Sequence, residues 1–320
     1  MQFYSNFKSN KINLLPNGLV YDFIDGKIGL ETFKLTNNKV NVVDLSQNCL
    51  TDNDKLALDK VLQISSPLLI LSPDPKKNFE QIKYYPYFYY YGVKHWHKKN
   101  LNEQKTFMLS CLNANPHVHR WYIYRNLIKS NYDNCILSFH KSKNYDLDYS
   151  GCGKELNYLY HNEINSFSER TGNDLSISHD AYTKTYINLV TETSIEDNLF
   201  VSEKTWKPIA SGQFFIIAGP KGIIAYLRKL GVDVYDDIID HSYDDVEDWQ
   251  ERMDKVLMSI DKLVKQNIPE LFNQTYHRRQ TNVDNFFSGK FGNSSLEEIN
   301  FYIEGKIKQL ENLDLNIDSI

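Results

Sequence analysis

The feature that most constrains the fold of this 320-residue chain is a central stretch in which two short apolar runs flank a polar segment of helical length. The apolar runs are residues 186–190 and 214–218, and this spacing is typical of a strand, helix, strand crossover in a parallel sheet. Ser202 is a good helix N-cap and places Glu203 and Lys204 in the first helical turn. The unpaired N–H groups and the dipole of a helix start favour anions, so this joint predicts a site for an anionic ligand.

The same residues also have a purely structural interpretation. Ser-Glu-Lys at a helix start is common chemistry for capping alone. On spacing alone, a solvated helix start on an ordinary parallel sheet is therefore the favoured interpretation, and a binding site needs further support.

Length and composition limit the class of protein. The chain is long enough for two domains with ample core. Hydrophobic residues make up 41% and charged residues 24%, which is typical of a globular protein. A net charge of −5 argues against a chain that binds nucleic acid chiefly through bulk positive charge, although a local basic groove stays open.

Cysteine usage and the N-terminus bear on the compartment. Cys49, Cys111, Cys135 and Cys152 have no metal-ligand spacing, and two of them lie in apolar runs, so we expect reduced thiols. The first residues lack the charged and then apolar regions of a signal peptide. No stretch approaches the ~18 apolar residues of a spanning helix. The sequence thus predicts a cytoplasmic protein without a membrane span.

Residues 1–103 are predicted to form a first, small Rossmann-like domain with a β-α-β arrangement. The predicted strands are 12–23, 39–45 and 68–71, and the predicted helix is 52–64, capped by Thr51. The ring-rich run 84–97 at the end of this domain has two open interpretations. It is either an aromatic platform for sugars and bases or an aromatic core and interdomain face.

Residues 104–290 are predicted to form the second domain, followed by a C-terminal segment, 291–320, that packs back across the two lobes. The predicted strands are 106–112, 136–139 and 232–235, beside those of the central stretch, and the predicted helices include 222–230, 246–264 and 296–313. His117 and His119 near Cys111 lack the further ligands of a zinc site, and the acids at 233–237 have the wrong spacing for a metal motif. No metal site is predicted.

Two blocks of residues together resemble a known family. The first is Glu192, then Ser202-Glu203-Lys204, a helix ending at Gly212, and an apolar strand closing in Gly219-Pro220. It resembles the donor-binding signature of the α1,3-fucosyltransferases. The second is a strand, an Asn-Pro-containing loop and Arg120 at the start of the next helix. The resemblance covers mainly residues 105–235 and implies an α/β fold of the GT-B type, with two Rossmann-like domains facing a cleft.

The resemblance also implies roles for individual residues. Glu192 would open the loop, Glu203 would hold the nucleotide ribose, and Lys204 and Arg120 would reach the diphosphate. A guanidinium fork at a helix start suits phosphate oxygens, because it binds them bidentately and stays charged. The chain departs from the family in having Thr193 where Asn is usual. Its interval from Glu192 to Glu203 is also one residue longer, and Pro208 lies within the helix.

The leading interpretation is a soluble glycosyltransferase that moves a sugar from a nucleotide-sugar donor to an acceptor hydroxyl. It needs neither a metal nor another cofactor, because fixed cations and a helix start can stabilise the leaving diphosphate. A base must take the acceptor proton, and the first domain offers Asp74, His95 and His97. Each of these also has a structural interpretation, as a turn cap or in aromatic packing.

Two alternatives remain. One is a nucleotide- or glycan-binding module without turnover. The other is a phage-type glycosyltransferase whose acceptor is a modified base in DNA rather than a glycan. The basic residues that would suit a nucleic-acid acceptor are Lys76, Lys77, Lys94, Lys98 and Lys99.

Overall fold

A computed structural model of the chain describes residues 11–15, 39–45, 68–77, 81–113, 117–130, 132–141, 168–169, 176–195 and 199–317. The strands are β1 Ile12–Leu15, β2 Val40–Asp44, β3 Leu68–Ser72, β4 Ile82–Tyr84, β5 Phe107–Asn113, β6 Cys135–Lys141, β7 Ser168–Glu169, β8 Thr185–Thr191 and β9 Phe214–Ala218. The helices are α1 Tyr87–His95, α2 Val118–Ser130, α3 Asp180–Thr183, α4 Glu203–Ala210, α5 Ile223–Lys229, α6 Trp249–Val264, α7 Ile268–Gln274, α8 Tyr276–Phe287 and α9 Asn293–Ile317.

These elements belong to two compact units. The first is drawn from residues 1–87, 198–200 and 292–320, and the second from residues 88–197 and 201–291. A compact unit need not be a separately folding domain. The predicted domain boundaries after residues 103 and 290 therefore stay a prediction.

The first unit contains four parallel strands in the order β1-β2-β3-β4. β2 and β3 are buried along their whole length, as expected for continuous apolar strands in the middle of a parallel sheet. The predicted strands 39–45 and 68–71 are confirmed. The predicted strand 12–23 is confirmed over β1, whereas its remainder and the predicted helix 52–64 with its cap Thr51 lie outside the described residues.

α9 packs on this first sheet and confirms the helix predicted at 296–313, with additional turns at its ends. Ile299 and Ile303, one turn apart, are fully buried. Between them along the helix, the Tyr302 hydroxyl donates to the carbonyl oxygen of Leu68 at 2.9 Å. These contacts anchor α9 on its own unit, and the predicted packing across the two lobes stays a prediction.

The second unit contains five parallel strands in the order β7-β6-β5-β8-β9. The chain runs outward from β5 through β6 to β7, and then returns to the other side of β5 for β8 and β9. This is a Rossmann-like order, and it creates a topological switch point between β5 and β8. The α/β class with two parallel sheets is thus confirmed, and the strand order of the second sheet is compatible with the predicted Rossmann-like arrangement.

The central crossover has the predicted form of β8, α4 and β9. α4 continues through Pro208 to Ala210 and ends in a turn at Gly212, where φ is +64°. A Cβ atom at Gly212 would come within 2.6 Å of Leu101 Cδ2, so this turn needs glycine for both its conformation and its packing. The tight turn feeds the chain directly into β9, which is buried throughout.

The predicted strand at 232–235 is wrong, because this segment is a loop. Tyr235 has a φ of +61°, and its N–H donates to Asp233 Oδ1 at 2.9 Å. A left-handed residue after an Asp-initiated turn cannot continue an extended strand. The alternating pattern instead lets Val232, Val234 and Tyr235 point into the core from a loop.

The ring-rich run 84–97 forms the end of β4 and all of α1. Tyr89 is fully buried, with its ring centroid 4.9 Å from that of Trp206 and 5.1 Å from that of Phe286. Trp96 is also buried and stacks on Phe286 at 5.8 Å. For Tyr89 and Trp96 the aromatic-core interpretation is therefore confirmed.

Candidate functional site

The candidate site lies at the carboxyl ends of β5 and β8, where the strand order of the second unit reverses. Open α/β sheets bind ligands in the crevice at such a switch point. Asn113, the last residue of β5, fixes this edge from both sides. Its Nδ2 donates to the Ser138 carbonyl oxygen on β6 at 3.1 Å, and its Oδ1 accepts from Thr191 Oγ1 on β8 at 2.6 Å.

Glu192 directly follows β8, and its buried carboxylate accepts from two backbone N–H groups and one side-chain hydroxyl of the joint. Its Oε1 accepts from the Ser202 N–H at 3.1 Å and from Thr205 Oγ1 at 2.6 Å. Its Oε2 accepts from the Thr193 N–H at 3.0 Å. A Cβ atom at Gly219 would come within 3.2 Å of the Glu192 Cβ, so glycine allows this close approach. Glu192 therefore ties the loop after β8 to the start of α4.

The start of α4 brings together the residues predicted from the crossover motif. Ser202 is confirmed as the N-cap, because its Oγ accepts from the Lys204 N–H at 3.3 Å. Lys204 Nζ lies 2.8 Å from Glu203 Oε1 and 3.4 Å from Thr193 Oγ1. The Lys204 side chain keeps 22% of its surface exposed, against 10% for Glu203. The Lys204 side chain is thus held in place and partly exposed to solvent.

Arg120, in the first turn of α2, reaches the same joint from the other side of the switch point. Its side chain is buried, and its Nε and Nη2 donate to the Glu192 carbonyl oxygen at 3.1 and 2.9 Å. His119 Nε2 lies 2.9 Å from the same oxygen, which can only accept, so this nitrogen carries the proton. These contacts fix the backbone of Glu192, and the predicted contact of Arg120 with a diphosphate stays a prediction.

Charge at the site is set by lysine and arginine. Burial opposes ionisation of Glu203, but Lys204 and Lys207, together with the hydrogen bond from Lys204, lower the pKa of its carboxyl below the usual value. Glu203 is therefore ionised at neutral pH. The ion pair with Lys204 explains how a carboxylate persists here with so little solvent.

Two histidines near these cations are neutral. The pKa of His117 is lowered to about 3, first by burial and then by the charges of Arg120 and Lys204. The pKa of His119 is also well below its ordinary value, through burial, Arg120 and His117. The two rings stack with centroids 5.8 Å apart. The field of the cations thus extends over the start of α2, where an anion would be stabilised.

Sequence analysis missed Arg252, a buried residue in the first turn of α6. Its Nη2 donates to the Ile195 carbonyl oxygen at 2.7 Å, and its Nε donates to the Gly219 carbonyl oxygen at 3.1 Å. It therefore joins the loop after β8 to the end of β9. The only sequence signal was an arginine beside the apolar stripe of a predicted helix, which also fits a side chain that reaches solvent.

The three predicted base candidates belong to different units, Asp74 to the first and His95 and His97 to the second. Asp74 is buried in the first unit, where its Oδ1 accepts from the Lys76 N–H at 2.9 Å and its own N–H donates to Ser72 Oγ at 3.1 Å. His95 and His97 are exposed, and the ring of His95 lies 4.5 Å from that of Tyr91. The turn-cap interpretation of Asp74 and the ring packing of His95 are confirmed, and a role as base stays a prediction for all three.

The basic residues considered for a nucleic-acid acceptor have different surroundings, and some of them contact other side chains of the protein. Lys98 forms an ion pair with Asp284, and Lys99 Nζ lies 3.5 Å from Ser178 Oγ. Lys94 is exposed on α1. Part of this predicted basic surface is thus engaged with the protein itself.

Within the described ranges, no group of three or more His, Cys, Asp or Glu side chains is arranged to hold a metal ion. Cys111 on β5 and Cys135 on β6 are free thiols, as predicted, and burial raises the pKa of Cys111 to about 12. Cys49 and Cys152 lie outside the described residues.

Comparison of the chain with protein-family models, with curated proteins and with solved structures found no significant match. Among the helices that the structure describes, none is long and apolar enough to cross a membrane.

Proposed function

We propose that this protein is a glycosyltransferase of the GT-B type that transfers a sugar from a nucleotide-sugar donor to an acceptor hydroxyl without a metal ion. The observation that carries the proposal is the position of Lys204 and the Ser202-capped start of α4 beside the switch point of a parallel sheet. Nucleotide phosphates bind at such sheet edges and helix starts in many α/β proteins. The resemblance of the same residues to the α1,3-fucosyltransferase signature adds the donor class.

The reaction needs stabilisation of negative charge more than covalent chemistry. The acceptor oxygen bonds to the anomeric carbon, the bond from that carbon to the diphosphate oxygen breaks, and the acceptor proton passes to a base. Lys204 Nζ and the positive end of the α4 dipole are the groups offered to the diphosphate. These groups are positioned before the reaction, so little reorganisation is needed as charge develops.

Glu203 and Arg120 take complementary parts in the proposal. Glu203 is ionised and adjoins Lys204 at 2.8 Å, so its free acceptor capacity suits the ribose hydroxyls while Lys204 turns toward phosphate. Arg120 is buried on the Glu192 carbonyl oxygen. Its charge contributes through the local field, and its hydrogen bonds hold Glu192 and thus the loop that faces the donor.

A second candidate function is a nucleotide- or glycan-binding module without turnover. It is favoured by the placement of Asp74, whose carboxylate already caps a turn in the first unit. The acceptor of the enzyme, whether a glycan or a modified base in a nucleic acid, is likewise open to experiment. The ion pair of Lys98 with Asp284 favours a glycan acceptor, because it reduces the positive charge offered to DNA.

A two-stage experiment tests the proposal. Nucleoside diphosphates are first screened by thermal shift, where a ligand at a hundredfold excess over its dissociation constant stabilises the protein by about 2.7 kcal/mol. The sugar nucleotides of the best ligand are then incubated with the protein in excess chelator. Slow donor hydrolysis that persists in chelator supports a metal-independent transferase. Binding without hydrolysis supports the module, and the absence of binding by every nucleotide refutes the transferase and a nucleotide-binding module.

A further inference from the structure

We propose that Arg252 is a positioning residue for the diphosphate site, acting on Lys204 through the loop that follows β8. The inference rests on the proposed function and deepens it, because it assigns the rigidity of the site to a residue outside the motif. Arg252 lies on α6, outside both α4 and the loop after β8.

The position of Arg252 is electrostatically unfavourable in isolation. It lies in the first turn of α6, where its N–H donates to the Asp248 carbonyl oxygen at 2.9 Å, and the positive end of the helix dipole disfavours a cation there. The side chain is also buried, with 3% of its surface exposed. A buried charge is tolerated only where hydrogen bonds replace its hydration. The hydrogen bonds of the guanidinium group must therefore compensate for the hydration that it loses in this position.

Those contacts are with main-chain carbonyl oxygens from three segments. Nη1 donates to the Val246 and Glu247 carbonyl oxygens at 2.5 and 3.1 Å, just before α6. Nε donates to Gly219 at the end of β9, and Nη2 donates to Ile195 in the loop after β8. The planar fork fixes the directions of all these bonds together, which a lysine cannot do.

The chain of contacts leads from Arg252 to the ammonium group of Lys204. Ile195 is two residues from Thr193, whose N–H is held by Glu192 and whose Oγ1 lies 3.4 Å from Lys204 Nζ. The segment from Thr193 to Ile195 is thus held at one end by Glu192 and at the other by Arg252. Release of Ile195 would let Thr193 move, and Lys204 would lose one of the groups that orient it. Preorganised cations bind and stabilise phosphate better than mobile ones.

The chain contains a matched control. Arg279 on α8 is likewise buried and donates to main-chain carbonyl oxygens, to that of Phe272 through Nε and Nη2 and to that of Gly212 through Nη1. Gly212 lies just after the C-terminal end of α4, whereas Lys204 lies at its N-terminal end. Arg279→Gln therefore removes a comparable clamp without touching the loop after β8.

The experiment measures binding of inorganic pyrophosphate to the full chain by calorimetry. Arg252→Gln is expected to weaken binding at least tenfold and Arg279→Gln less than threefold, with folding of each variant checked by urea denaturation. In a Lys204→Ala background, Arg252→Gln is expected to weaken binding less than threefold, because the two residues act on one contact. If Arg252→Gln does not fold, Arg252→Lys is measured against the same criteria, since it keeps the charge and loses the fork.

The outcomes separate the inference from the proposed function. If the parent protein binds neither pyrophosphate nor any nucleoside diphosphate, the proposed function fails and the inference fails with it. If the parent binds pyrophosphate but Arg252→Gln matches Arg279→Gln, the inference alone is overturned. Independent, additive losses from Arg252→Gln and Lys204→Ala also overturn it, because a purely structural arginine would behave in that way.

Discussion

Lys204 and Glu203 form one ion pair, yet they are expected to act on different parts of a nucleotide. We predict that Lys204→Ala weakens binding of a nucleoside diphosphate by roughly 1.5–3 kcal/mol, the value of a hydrogen bond to a charged group. Binding of the matching nucleoside should change little, because it lacks the phosphates. Calorimetry with both ligands measures the difference. Lys229→Ala, which removes an equal charge from an exposed position on α5, is the control. Equal losses for both ligands would contradict the phosphate role.

Glu203 is assigned to the ribose, and a change of one atom tests this. We predict that Glu203→Gln impairs binding of ribonucleoside diphosphates, because the amide replaces an acceptor with a donor. A 2′-deoxy ligand should lose much less on the same substitution, since it offers one hydroxyl fewer. The ratio of the two affinities is the measurement. Equal loss for the two sugars would show that Glu203 serves the helix start and not the ribose.

The sequence predicted these two residues well because their setting is local. An N-cap and a first helical turn depend on neighbours within four residues, so Ser202, Glu203 and Lys204 are found where the pattern put them. The contacts of Glu192 and Arg252 depend on segments far apart in the chain. No local pattern carries that information, and an arginine beside an apolar stripe does not reveal its partners.

At the scale of elements, local sequence patterns predicted the helices and strands well where tertiary contacts did not override them. Helix 246–264 was predicted from its apolar stripe, and it begins at Trp249 because Asp248 caps it. α1 was not predicted, since its run of tyrosines has the composition of a strand, and burial of Tyr89 against Trp206 overrides that preference. Residues 232–235 were predicted as a strand because their apolar residues alternate, but this segment pairs with none of the described strands and forms a loop.

The junction between β8 and α4 depends on one carboxylate, which makes a stability prediction at this scale. We predict that Glu192→Gln lowers the free energy of unfolding by roughly 1–3 kcal/mol, because three donors converge on the carboxylate and an amide group must turn its own donors toward one of them. Urea denaturation measures the loss. Glu304→Gln, at an exposed position on α9, should change stability by less than about 0.5 kcal/mol. A parental stability in Glu192→Gln would show that the junction is held by other contacts.

For the whole molecule, the β-α-β pattern and the family resemblance predicted an α/β protein, and the crossover motif predicted parallel pairing. The order of the strands was beyond the sequence, because it is fixed by pairing between segments such as β5 and β8, which lie far apart in the chain. The switch point between these two strands brings Arg120 and Glu192 together. The site is thus a property of the topology, and the motif residues supply only one side of it.

Among the described residues of the second unit, three histidines have pKa values below the ordinary range, mainly because burial disfavours their charged form. They are His117, His119 and His241. His241 is locked in one tautomer, with Nε2 2.7 Å from the Val234 carbonyl oxygen and Nδ1 2.9 Å from the Tyr243 hydroxyl. The carbonyl can only accept, so Nε2 carries the proton and Nδ1 accepts from Tyr243. Protonation of Nδ1 would break that bond.

These histidines predict that the protein loses stability on mild acidification. An unfolded histidine binds its proton near pH 6.5, whereas each folded one stays neutral to lower pH, so below about pH 6.5 the unfolded state binds more protons. Each histidine then lowers the free energy of unfolding by up to about 1.4 kcal/mol per pH unit until its folded pKa is reached, which for His117 is about 3.

Urea denaturation between about pH 7.5 and 5.5, above the range of most carboxylates, measures the slope. His241→Gln should reduce it by up to a third, and His97→Gln, at an exposed position, serves as control. A free energy of unfolding that stays constant or rises on acidification would mean that these rings accept protons in the folded state. The cationic field inferred at the start of α2 would then have to be weaker than the geometry indicates.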